Sequence, residues 1–129
     1  MKVEQKFTEW DETFKPEYKI ERIYFPEKKE NLYLKRKTWG ITGNDQTTVI
    51  STKKELKFET DTISDYVYSG FSEIIYKAEN NKLIIYSHHK PNIPKKFKSE
   101  IEIELRKYKN NSEWNILKEK ANRSYQKFE

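Results

Sequence analysis

Ser72-Glu73-Ile74-Ile75-Tyr76-Lys77-Ala78-Glu79-Asn80-Asn81-Lys82-Leu83-Ile84-Ile85-Tyr86-Ser87 places two runs of β-branched and aromatic residues on either side of Glu79-Asn80-Asn81. Such side chains suit a pleated surface and the Asn pair suits a tight reversal, so the segment predicts a β-hairpin with arms at 72–78 and 82–87. Strand patterns continue upstream. Residues 18–25 alternate roughly and stop at Pro26, 27–31 form a polar turn, and 32–39 resume with Leu32 and Leu34 on one face. Residues 47–52 are β-branched almost throughout, 55–60 set Leu56 and Phe58 against Lys57 and Glu59, 61–64 read as a turn and 65–68 as a short strand.

Downstream, Pro91 and Pro94 forbid a regular central strand over 88–98, which becomes a loop of about ten residues. Residues 100–105 then alternate without a fault, with Glu100, Glu102 and Glu104 one way and Ile101, Ile103 and Leu105 the other: one face buried, the other in water, with lysines expected opposite the carboxylates. Asn110-Asn111-Ser112 breaks the strand, Ser112 is the expected N-cap of a helix over 113–124, and Trp114, Leu117 and Ala121 form its inner stripe. A last strand at 124–128 is compatible with the pattern. At the other end, Phe7, Trp10 and Phe14 would share one helical face, so residues 1–16 are expected to form a short helix or ordered arm packed on the body. The expectation is a single β-rich domain over 17–129, a mainly antiparallel sandwich or strongly curved sheet of about eight strands with a short C-terminal helix.

Composition narrows the function. A chain of 129 residues, 36% charged, 34% apolar and 15% aromatic, is long enough for one modest core and too short for a multidomain enzyme. The net charge of +5 hints at an acidic partner, yet only Arg22, Arg36, Arg106 and Arg123 stand among the 26 basic residues, where phosphate recognition favours guanidinium. The surplus is spread over both halves rather than gathered in a basic arm. Without cysteine there are no disulfides, zinc-thiolate sites or thiol nucleophiles. No apolar run approaches the length of a transmembrane helix, and the first residues lack the apolar core of a signal peptide. As the sequence stands this points to the cytoplasm; a mature domain of an exported protein would point to the envelope or periplasm.

Few constellations carry chemistry. His88-His89 invites a metal reading, but in extended chain the two rings point to opposite faces, so neither a metal nor a cofactor is expected. Glu100, Glu102 and Glu104 are spaced by the pleat alone, and no serine sits in a nucleophile elbow. No catalytic residue is assigned; an enzyme would have to rest on His88, His89 and Asp65. The one local field is Lys90, Lys95, Lys96 and Lys98, beside His88, His89, Tyr86 and Phe97, with no acidic residue between 88 and 98. It suits an acidic protein partner, and it also suits a single-stranded nucleic acid whose bases stack on Phe97 and Tyr86. A solvated, Lys-rich loop has the same composition.

Trp39-Gly40-Ile41-Thr42-Gly43-Asn44 holds two of the three glycines and reads as a sharp loop with Trp39 filling the core edge. With the strand after it and the 74–76 and 83–86 runs, it resembles small uncharacterised bacterial proteins, some of them lipoproteins, that share a Trp-Gly-x-Thr/Ser-Gly-Asn loop. The resemblance implies a β-sandwich-like domain and, in some members, an envelope location, with no activity attached. The resulting expectation is a non-catalytic protein-binding module of bacterial type, toxin-neutralising (immunity-like) or envelope-associated. Its contacts would be His88, His89, Lys90, Lys95, Lys96, Phe97, Lys98, Trp39 and Asn44; the alternative is nucleic-acid binding through the 88–98 loop.

Overall fold

A computed structural model describes residues 15–40, 45–108, 110–120 and 126–128. The element order is β1 (Glu17–Phe25), β2 (Glu30–Trp39), β3 (Asp45–Ser51), β4 (Tyr66–Ser69), β5 (Ile74–Glu79), β6 (Lys82–Ser87), β7 (Glu102–Lys107), α1 (Asn111–Lys120) and β8 (Gln126–Phe128). The first sheet is an antiparallel meander in the order β1-β2-β3-β4; the second has the order β7-β6-β5-β8. Neither closes into a barrel. Among the described residues the molecule is mainly β, eight strands in two sheets with one short C-terminal helix.

Strand parity sorts the side chains into three layers. In the first sheet Ile23, Leu32, Leu34, Ile50 and Tyr68 face inward; from the second come Ile74, Tyr76, Leu83, Ile85 and Phe128, and the two sets form one core cluster. The outer face of the second sheet is also apolar, with Ile75, Ile84 and Tyr86, and α1 covers it through Trp114 and Leu117, with Tyr108 completing this smaller cluster. A sheet apolar on both faces needs a cover on each, and a helix with one apolar stripe suffices for the second.

The 72–87 hairpin stands as β5 and β6, and Asn80 at its tip adopts φ +49°, a left-handed angle that Asn tolerates better than most residues. β7 differs from the antiparallel expectation: it runs parallel to β6, with Lys82 opposite Glu102 and Leu83 opposite Ile103. Two parallel neighbours require a crossover of a dozen or more residues, which explains the length of the chain between Ser87 and Glu102. The lysine expected opposite the carboxylates is Lys82, whose ammonium lies 3.1 Å from Glu104 Oε1.

Three further expectations change. Residues 55–60 are not a strand: the 52–65 connection has no ladder and crosses the outer face of the first sheet, where Phe58 meets Tyr18 edge-on at 5.8 Å and Leu56 stays exposed. Alternation alone cannot supply the neighbouring strand that a ladder needs. The helix begins two residues earlier than expected, because Asn110 rather than Ser112 caps it; Asn110 Oδ1 accepts from Glu113 N at 2.9 Å. The final strand is β8, and Phe128 ties it to the core. Trp39 does not fill the core edge: it shares parity with Lys35 and Lys37, faces outward and stays 36% exposed, with the Lys37 ammonium 5.7 Å from its ring. Gly40 has φ +99°, and a Cβ there would stand 2.9 Å from Asp45 Oδ2, so the reversal after Trp39 does depend on glycine. The arm at 1–16 up to residue 14, the rest of the glycine loop including Asn44, and Ala121 lie outside the described residues.

Candidate functional site

β4 is the last strand of the first sheet, and the 88–98 segment lies along its free edge. Asn92 N donates to Val67 O at 2.8 Å and Val67 N to Asn92 O at 3.2 Å; Lys96 N donates to Ile63 O at 2.9 Å, and Asn92 Nδ2 to Thr62 O at 3.3 Å. An unpaired edge would invite another strand, and the crossover chain occupies it. Pro91 is buried against this edge, and Phe97 packs edge-on to Tyr66 with ring centroids 5.0 Å apart, at the margin of the core.

The two histidines follow the end of β6 at a bend and diverge. His88 turns to the helix side, 4.1 Å from the Tyr108 ring, which itself stacks on Trp114 at 4.4 Å. His89 turns to the first sheet, with Nε2 3.3 Å from Ser72 Oγ and its ring 6.0 Å from Tyr68. Asp65 belongs to neither, since it sits at the entry to β4 beside Ser51 and Lys35. The three residues on which an enzyme reading would rest are therefore held apart by the fold, and among the described residues no three His, Cys, Asp or Glu side chains form a metal-ligating group.

What the edge does gather is apolar. Ile63, Ile93 and Phe71 are 57%, 59% and 72% exposed: Ile63 bonds Lys96 on the covering segment through its carbonyl, Ile93 follows Asn92 on that segment, and Phe71 lies just past the end of β4, before Ser72. Ser72 joins the two regions named from sequence, because its N–H donates to Gln46 Oε1 at 3.3 Å near the Trp39 end of the first sheet while its hydroxyl meets His89. Lys90, Lys95, Lys96 and Lys98 are exposed along the same segment. Three exposed apolar side chains thus accompany β4 and its covering segment: Ile63 before the strand, Phe71 after it, and Ile93 on the segment that also carries the four ammonium groups. Sequence reasoning missed Ile63, Phe71 and Ile93. The available signal was their setting, one behind Ser69-Gly70, one between Pro91 and Pro94, one inside the Asp61 turn, all places where a core residue has no strand to ride on.

On the outer face of the first sheet the 52–65 connection closes a second feature, a cleft of about 350 Å³ lined by Lys35, Ser51, Phe58 and Asp65 among others. The connection leaves β3 at Ser51 and re-enters the sheet at Asp65, one step beyond the Ile50–Tyr66 pair, so these two side chains face each other across the strands. Asp61 fixes the return: its Oδ1 accepts from Ile63 N at 3.0 Å and Ser64 N at 3.1 Å, which holds its carboxyl below the usual range. Burial pushes the Asp65 carboxyl up, with the Ser51 hydroxyl opposing, and burial pushes the Lys35 ammonium down. Lys35 is 1% exposed and Asp65 3%, and Asp65 Oδ1 has no hydrogen-bond partner.

No family model, curated protein or solved structure matches the chain. No helix among the described residues is long and apolar enough to cross a membrane.

Proposed function

We propose that this chain is a non-catalytic protein-binding module and that its partner docks on the 88–98 segment that covers the edge of β4, with an acidic, partly apolar surface. The observation that carries this is the set Ile63, Ile93 and Phe71, each more than half exposed around β4, beside Lys90, Lys95, Lys96 and Lys98 on a segment, 88–98, that holds no acidic residue. Large side chains left in water cost free energy that only a covering surface recovers, and the lysines steer an oppositely charged partner onto them. A small domain of this kind acts by what it covers, as a toxin-neutralising protein does; envelope association rests on the loop resemblance alone. The nucleic-acid alternative keeps the lysines but not its stacking platform, because Tyr86 is buried beneath α1 and Phe97 is engaged with Tyr66.

The test is site-specific photocrosslinking in the source cells, with the crosslinking residue at Ile93 or Phe71 and, as control, at Ile116 on the opposite layer. The expected result is one adduct, formed at 93 and 71 and not at 116, whose crosslinked peptide is rich in Asp and Glu, and which disappears in the Lys95→Glu/Lys96→Glu variant. Equal crosslinking at 116, or survival of the adduct in that variant, would overturn the assignment.

A further inference from the structure

We propose that the cleft beneath the 52–65 connection is a binding site for a small zwitterion that carries a primary ammonium and a carboxylate, of which a free α-amino acid is the simplest example. Three independent features point to a ligand. Asp65 Oδ1 is a buried acceptor with no partner, in a position that lines the cleft, and such an atom is stable only if something donates to it. Lys35 is a second buried charge in the same cleft, its ammonium 5.7 Å from the Phe58 ring centroid. The connection itself is fourteen residues long without strand or helix, and compact domains seldom keep such loops beyond about 12–15 residues unless they serve a function.

The charges select the ligand. Lys35, Lys53 and Lys57 face Glu55, Glu59, Asp61 and Asp65 around the cleft, so neither a phosphate nor a polyamine meets a field of one sign. Lys53 is held to Asp61 at 3.3 Å on the rim, which leaves Asp65 and Lys35 as the inner pair, one an acceptor and the other a donor. A ligand ammonium donates to Asp65 Oδ1, its carboxylate accepts from Lys35 Nζ, and its side chain lies on Phe58. Lys35 and Asp65 attract each other across the cleft, and a bound zwitterion adds a direct hydrogen-bond partner for each of the two buried charges. A cleft of about 350 Å³ also falls at the lower end of small-molecule sites, roughly 300–1,000 Å³. This site is on the face of the first sheet away from the core; it shares the 61–65 turn with the β4 surface, where Ile63 sits, but draws on Asp65 and Lys35 rather than on the exposed apolar side chains.

The experiment is an amide-resolved NMR titration of the full chain with glycine, L-leucine and L-phenylalanine, against two controls: glycine betaine, whose quaternary nitrogen has no N–H to give, and propionate, which has no cation. Expected are saturable shifts at the Lys53 and Asp65 amides with at least one amino acid, and none with either control. Asp65→Asn and Lys35→Met should each weaken binding by about 10–100-fold, the loss that accompanies a hydrogen bond to a charged group. Should Asp65→Asn fail to fold, Lys35→Met and Ser51→Ala carry the same comparison. Absence of saturation with all three amino acids, equal shifts with betaine, or undiminished binding by Lys35→Met would overturn the proposal. None of these results depends on the protein partner, so the two assignments stand or fall separately.

Discussion

Trp114→Ala should detach α1 while the two sheets stay folded. The helix has two anchors, Trp114 at 5% exposure and Leu117 at 8%; Ile116 points to solvent. A buried indole covers about 150–250 Å², or roughly 4–6 kcal/mol at 25 cal/mol/Å², and truncations of Trp in packed interiors cost about 3–5 kcal/mol. The stacks on Tyr108 and His88 lie within that sum. Ordering ten helical residues costs about 1 kcal/mol or more each before their hydrogen bonds offset part of it, so Leu117 alone holds too little surface to keep α1 docked. The loss should therefore be local. Hydrogen exchange at the 111–120 amides should approach free-chain rates, far-UV circular dichroism should lose its helical component, and the amides of β5 and β6 that face the core should stay protected. Protection of 111–120 unchanged from the parent, with a urea midpoint shifted by less than the equivalent of about 1 kcal/mol, would show that the helix is held by something other than these two side chains.

Three further outcomes can be checked by urea unfolding. Asp65→Asn should raise stability at neutral pH, by roughly 1–3 kcal/mol if the unmet acceptor carries its usual cost. Because burial raises the folded-state carboxyl above its ordinary 3.8, the parent loses stability as pH climbs from 3.8 through the raised value, so the gain should vanish below pH 3.8; a gain that is flat with pH would contradict the burial. Arg36→Lys should cost about 2 kcal/mol, since the guanidinium bonds Thr48 Oγ1 at 3.0 Å and Ser72 O at 2.8 Å while lying 4.7 Å from the Phe128 ring, a geometry that an ammonium cannot copy. Asn110→Ala should cost about 0.5–2 kcal/mol and Ser112→Ala close to nothing, the reverse of what the sequence motif alone suggests.

Most of the strands, and the apolar side of each, were legible in the sequence; the alternation over 55–60 was the exception, since it found no neighbouring strand to pair with. The 72–87 hairpin, the faultless alternation over 100–105, the Asp61 turn and the Trp114–Leu117 stripe are all local periodicities, and a period is a property of neighbouring residues. The divergence of His88 and His89 was legible as well, although it occurs at a bend rather than in extended chain. What covers each face follows from the stacking of distant segments. The 100–105 alternation cannot say whether β7 runs parallel or antiparallel to β6, and the parallel arrangement requires the long crossover whose 88–98 part bonds to β4 and brings Ile93 and its lysines there. Lys35 reads as a surface lysine, with Lys37 two residues on; it is buried because a connection starting seventeen residues later folds over it and brings Asp65 back opposite Ser51. Burial and charge pairing between distant segments depend on how layers stack, and side-chain period carries no record of that.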